Sequence, residues 1–273
     1  MPFHVRSVDR GFSDAIRWHL SPFERAREDP GSILVQVYVR EEDEGKAPAP
    51  YSYFRGAELA YQHESLATVF KYALWDIQWF ASQNVRAFVA LHAGAVGTSE
   101  GALLLPAPAD TGKSTLVAAL LQSGFDYLSD EIGVLDPITG RAYPFPKHLH
   151  LDQGALIEFP GLEARLEDRN GQSRGRLDRT VRPGDIGARI GEISRPRALI
   201  FMSGNREGPP MLAPLSKAET VERLAANSFN LHRYGDRGVL FLSRVAENVP
   251  GFRLDGGTAR ERANLVQERF PPR

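Results

Sequence analysis

The chain contains no cysteine, which excludes disulfides, thiolate zinc sites and cysteine nucleophiles. It also lacks an excess of either charge. Lys and Arg number 33 against 34 Asp and Glu, a formal net charge of −1, so no basic field draws the chain to nucleic acid. Long apolar runs are missing too: none approaches the roughly 20 residues that span a bilayer. The opening MPFHVRSVDRGF has no apolar stretch of the signal-peptide kind. These absences lead to the expectation of a cytoplasmic protein with neither a nucleic-acid nor a membrane partner. What is present is ordinary for a globular protein, 42% hydrophobic and 25% charged residues over 273 positions. That is enough for one large domain or for a core with a smaller unit attached.

The most informative stretch runs GALLLPAPADTGKSTLVAALL over 101–121. An apolar run of strand length passes through a tight loop into a helical pattern that opens on Gly112-Lys113-Ser114-Thr115. A strand, a loop and GK[ST] at a helix start hold a nucleotide triphosphate, because backbone N–H groups and the positive helix end face the phosphates. The candidate ATP-binding residues are Ala107, Pro108, Ala109, Asp110, Thr111, Gly112, Lys113, Ser114 and Thr115. Lys113 is expected to reach the β/γ-phosphates and the Ser114 hydroxyl to ligate Mg²⁺.

The loop is poor in glycine. In G-x-x-x-x-G-K-[ST] the first glycine falls at Ala107, and Asp110 stands where related loops often carry another. Glycine serves such loops through positive φ and close backbone approach. Asp tolerates the left-handed region, but its carboxylate is expected to repel a triphosphate.

Upstream, SILVQVYV over 32–39 reads as a strand and 51–62 as one or two more. The charged, proline-rich 41–50 reads as a solvated loop. Apolar residues from Leu66 to Phe80 fall at helical spacing, with Trp75 and Trp79 expected as core anchors. Residues 1–84 are therefore read as a small α+β unit and 85–273 as an α/β domain with a mixed sheet. In the latter, 87–96, 102–107 and 197–204 read as strands, and 217–230 and the last stretch, ARERANLVQERF, as helices. FDYLSDEIGVLDP gives strand, acidic pair and strand, followed by a turn at 136–140. The charged, Gly-rich 161–190 reads as solvated loop, with a closing lid as the functional alternative.

Phosphoryl transfer needs carboxylates beside the phosphate cradle. Asp130 and Glu131 follow the strand after the phosphate helix, and parallel pairing is expected to bring that strand's end to the loop's edge. Two adjacent acids suggest one metal ligand and one base. His92, one strand earlier, is expected to orient Asp130. Lys147 is placed to return to the same edge, and Arg182 and Arg189 are candidate phosphate clamps. His148 and His150 share a strand face, but no third ligand stands at a telling spacing, so no metal site is expected there.

In order, LHAGAV, LLLPAPADTGKSTLVAAL, YLSDEIGVLD and YPFPKHLHL resemble the HPr-kinase-related family of P-loop kinases, itself similar to HPr serine kinase/phosphorylase. The resemblance covers about 88–151. It implies ATP and Mg²⁺ as cofactors, His92 and Lys113 in the catalytic site, Asp130 as base toward a serine hydroxyl, and Glu131 with Ser114 at the metal. It further implies a peptide or protein substrate, in some members within a peptide natural-product pathway. Two other readings of the same residues stay open: a nucleotide-binding sensor without chemistry, and a kinase of small-molecule hydroxyls. Nothing in the residues encodes the oligomeric state.

Overall fold

The computed structural model describes residues 3–7, 9–24, 33–39, 51–151, 153–159, 161–162 and 180–273. The loop expected over 41–50 and the greater part of that expected over 161–190 lie outside them. The described residues up to Asn84 form one compact unit and those from Val85 onward another.

In the first unit β1 (Phe3–Ser7) is followed by α1 (Arg10–Leu20), β2 (Ile33–Val39), β3 (Tyr51–Arg55), β4 (Glu58–His63) and α2 (Leu66–Asn84). The strands lie in sequence order in one sheet, β1 parallel to β2 and the others antiparallel. Asp9 starts α1 by accepting the Phe12 N–H at 2.7 Å, which satisfies one of the donors a helix start leaves open. Phe12 and Ile16 of α1 then meet Val69, Phe70, Ala73 and Ile77 of α2 around Tyr53. That spacing uses one side of α2 and turns Trp75 and Trp79 away from it. Contrary to the expectation of core anchors, both tryptophans are about half exposed and stack on each other, centroids 5.8 Å apart.

The second unit begins with β5 (Val89–Thr98), β6 (Gly101–Pro106) and α3 (Lys113–Gln122). Next come β7 (Asp126–Ser129), β8 (Ile132–Leu135), β9 (Ala142–Tyr143), β10 (Leu149–His150), α4 (Gln153–Ile157) and β11 (Thr180–Val181). The rest is β12 (Pro196–Met202), β13 (Met211–Pro214), α5 (Lys217–Ala226), α6 (Asp236–Asn248), β14 (Gly251–Asp255) and α7 (Ala259–Arg269). The fold is α/β, with an eight-stranded mixed sheet ordered β13-β14-β12-β6-β5-β8-β9 and β7 also paired to β5.

Strand β6 shows why the sheet reads as unbroken apolar sequence. Leu103 and Leu105 face Leu116, Val117 and Leu120 of α3 and Val266 of α7. Ala102 and Leu104 face the other way, toward Leu224 of α5 and Phe241, Leu242 and Val245 of α6. Side chains alternate along a strand, so a strand covered on both faces has no polar side. Each buried leucine contributes about 2 kcal/mol. Helix α3 lies close against β5 at Gly94, where a Cβ would stand 2.6 Å from Val117 Cγ2. Among the described residues no helix is long and apolar enough to cross a membrane.

Candidate functional site

The cradle is built where β6 ends. Ala107 N–H donates to the His92 carbonyl at 3.2 Å, which continues the β5–β6 pairing one step past the strand. The Ala107 methyl is buried in the core, and its φ is not positive. Position 107 therefore asks nothing of a glycine. Asp110 does take a glycine-like backbone, with φ 61°, as no other non-glycine does among the described residues. Thr111 Oγ1 donates to the Pro108 carbonyl at 2.9 Å and closes the loop. Gly112, at φ 84° and ψ 23°, turns the chain into α3, whose first N–H groups meet no side-chain cap. Open donors at a helix start are the anion-binding arrangement expected there.

Lys113 is buried, and its Nζ lies 2.9 Å from His92 Nε2 and 3.2 Å from the Ala107 carbonyl. Burial, and then the Lys113 charge, push the His92 pKa down to about 4. The ring is thus neutral near pH 7 and accepts from the ammonium. Burial also lowers the Lys113 pKa, opposed by Asp130 and Glu131. The expectation that His92 orients Asp130 is not met. Its place on β5, beside the carbonyl that receives Ala107, aims the ring at the lysine that follows the loop.

The acidic pair reaches the cradle by a route different from the expected parallel pairing. β6 and β7 do not pair with each other; each runs antiparallel to β5, on opposite edges, so the two point the same way. β7 and β8 follow one another along that edge of β5, the first against Ala95–Gly97 and the second against Val89–His92. The break between them is Asp130-Glu131, where Ala93 N–H donates to the Glu131 carbonyl at 3.1 Å. Ala93 pairs on its other edge with Pro106, the last residue of β6. The break in one strand and the exit of the phosphate loop therefore stand level across β5.

The two carboxylates meet different surroundings. Asp130 is 2% exposed. Its Oδ2 accepts the His150 N–H at 3.2 Å, while its Oδ1, buried, has no hydrogen-bond partner. Burial raises its pKa, against the pull of Lys147 and of the Ser114 hydroxyl beside it. The Glu131 side chain is 37% exposed and ion-paired with Lys147. Burial raises its pKa, but Lys147 together with His92 and Lys113 holds it below the usual carboxylate range. Tyr127 OH donates to the Lys147 carbonyl and Phe145 N–H to the Leu128 carbonyl, so the segment after β9 is stitched along β7. Lys147 does return to the phosphate edge.

The Ser114 hydroxyl beside Asp130 supports, as a proposal, the reverse of the expected division that gave the metal to Glu131 and the base to Asp130. Glu131 is the more open of the two carboxylates. An unpartnered, buried carboxylate oxygen beside a hydroxyl fits Mg²⁺, a hard cation that takes few protein oxygens and completes its shell with phosphate and water. Among the described residues no three His, Asp or Glu side chains form a metal cage.

Three arginines sort differently. Arg189 binds Asp126 at the opposite end of β7 from the acidic pair, Nη2 to Oδ1 3.2 Å. Arg182 opens the short helical turn at Pro183–Asp185 and presses on His148, whose pKa burial and then that charge lower to about 4. Arg206, which the sequence reading omits, lies at the cradle itself. Its Nη2 is 2.7 Å from where a Cβ on Gly112 would stand. The signal that could have found it is topological: β12 runs parallel to β6, so the loop leaving β12 emerges at the same edge as the phosphate loop.

No protein-family model and no curated protein matches the chain. Among solved structures it is similar to an HPr(Ser) kinase/phosphatase from Coxiella burnetii, at 13% identity and a TM-score of 0.34, over 66% of this chain and 95% of that one. A likeness so shallow carries no chemistry across.

Proposed function

We propose that the second unit is an ATP-dependent phosphotransferase that moves a γ-phosphoryl group to the hydroxyl of a serine on a peptide or protein. The observation that carries this reading is the meeting of Lys113, Ser114 and the unpartnered Asp130 oxygen under an uncapped helix start. Such a set holds a triphosphate and a divalent cation together, and an accessible carboxylate stands next to it.

Ser114 and Asp130 would hold Mg²⁺, which neutralises phosphate charge and aligns the transferred group when bound with ATP. Lys113, whose charge Asp130 and Glu131 favour against its burial, stabilises the oxygens that gain charge in the transition state. His92 holds its ammonium in place. Glu131 takes the acceptor's proton as the new oxygen–phosphorus bond forms and the bond to the ADP oxygen breaks. Lys147 fixes the direction of that carboxylate. The exposure of Glu131 favours a macromolecular acceptor that docks from outside the cradle.

The test is Glu131→Gln. Calorimetry should show ATP·Mg²⁺ binding unchanged, while phosphopeptide formation, followed by mass spectrometry on serine peptides, falls about 10²–10⁴-fold, the usual worth of a general base. Wild-type protein that binds ATP·Mg²⁺ yet phosphorylates no peptide or small hydroxyl compound would establish the sensor reading instead.

A further inference from the structure

The loop that leaves β12 is pinned by a buried guanidinium. Arg262 of α7 is buried; its Nε donates to the Gly256 carbonyl at 2.6 Å and its Nη groups to the carbonyls of Ser203 and Asn205. Backbone bonds add to this, Ser203 N–H to the Leu254 carbonyl at 3.1 Å and Gly256 N–H to the Asn205 carbonyl at 3.1 Å. Gly256 is required where it is, with φ 68° and the Pro209 carbonyl 2.3 Å from any added Cβ. A segment held at so many points fixes the backbone that carries Arg206.

The position brings positive charges together. The Arg206 guanidinium lies against Gly112, at the end of α3 where the helix dipole is positive. Lys113 is the next residue, and Arg206 stands near enough to Arg262 to lower that residue's pKa, after burial. Among the described residues Arg206 makes no hydrogen bond or ion pair. A cation set on a positive helix end beside Lys113, and bonded to no carboxylate, gains from an anion bound there. The uncapped N–H groups beneath it call for the same ligand.

We propose that Arg206 is a phosphate-binding residue of this site, a guanidinium fork that closes on the α/β-phosphates of the nucleotide from the side opposite the loop backbone. The proposal rests on the nucleotide reading above and adds a clamp to it from a different part of the chain. Planar forks match phosphate oxygens two at a time, which an ammonium does not.

The test is calorimetric titration of the full chain with ATP, ADP and AMP in Mg²⁺, for wild type, Arg206→Ala, Arg206→Lys and Lys113→Ala. Arg206→Ala should weaken ATP and ADP about ten- to a hundredfold, as expected for charged hydrogen bonds, and AMP by less. Arg206→Lys should recover only part of the loss. Arg206 is exposed, and both variants should melt with the wild type; Arg206→Gln offers a second neutral side chain of similar reach. ATP affinity unchanged in Arg206→Ala and Arg206→Gln, with binding lost in Lys113→Ala, would overturn the clamp and leave the nucleotide site standing. A loss equal for AMP and ATP would overturn it as well, by placing Arg206 on the nucleoside. Wild-type protein that binds no nucleotide would overturn both.

Discussion

Two aspartates, one in each unit, are buried to nearly the same degree and use that burial in opposite ways. Asp76 of α2 is 4% exposed and both its oxygens are satisfied, by Tyr53 OH at 2.9 Å and Arg55 Nη1 at 2.8 Å. The same carboxylate, after burial, raises the Tyr53 pKa, and Arg55 covers the Phe80 ring at 4.9 Å. Asp130 is 2% exposed, takes one backbone N–H at 3.2 Å and leaves its other oxygen without a partner. A buried carboxylate costs stability unless its lone pairs are met. Asp76 is a finished structural tie between helix and sheet. Asp130 keeps one oxygen that no group of the chain meets, beside the loop proposed above to hold phosphate.

The largest expected effect breaks this comparison at Asp130. Asp130→Asn should lower phosphoryl transfer about 10²–10³-fold or more, as loss of a transition-state electrostatic contact does. It should also weaken the Mg²⁺ dependence of ATP binding. Its unfolding free energy in urea should stay level or rise by up to about 1 kcal/mol, because an amide carries no buried charge. A marked loss of stability would make Asp130 a structural tie like Asp76.

Asp76→Ala should do the reverse. Arg55 and Tyr53 lose their acceptor, and removing one partner of a buried pair costs about 2–3 kcal/mol once the partial exposure of Arg55 is allowed for. The measurement is the urea midpoint, with ATP titration alongside; affinity lost in folded protein would show that Asp76 serves the site.

The smallest effect comes from a third buried group. His148 is held neutral, with its pKa lowered to about 4 from 6.5. Above about pH 6.5 it adds nothing to the pH dependence. As pH falls from there toward about 4 the unfolded chain takes up a proton that the folded chain refuses, so stability declines; below that it declines no further on this account. His148→Gln should flatten that part of the curve, read as urea midpoints at about pH 7 and about pH 5. An identical slope in the variant would show that His148 is protonated in the fold.

How much was legible depended on how far apart in sequence the partners lie. Strand β6, the loop and α3 are contiguous, and apolar pattern and GKST placed them. Helix α6 was not read, since Gly235 and Gly238 punctuate it, although Phe241, Leu242 and Val245 keep helical spacing. β13 and β14 were missed because Met211–Pro214 is short and Gly251–Asp255 is both short and broken by Arg253 and Asp255. At the helix the sequence named both tryptophans correctly as neighbours and put them on the wrong side, because spacing gives a stripe and not its direction.

The sequence by itself determined that this chain is an α/β protein with GKST between a strand and a helix and an acidic pair downstream, because strand period, helix period and loop chemistry are carried by adjacent residues. Tertiary structure alone decided which carboxylate is buried beside Ser114 and which faces outward to Lys147. It alone turned His92 to Lys113 and brought Arg206 to Gly112. Those outcomes depend on the register of β7 and β8 along β5 and on the parallel run of β12 beside β6. Register is set by pairings between distant segments, which no local pattern contains.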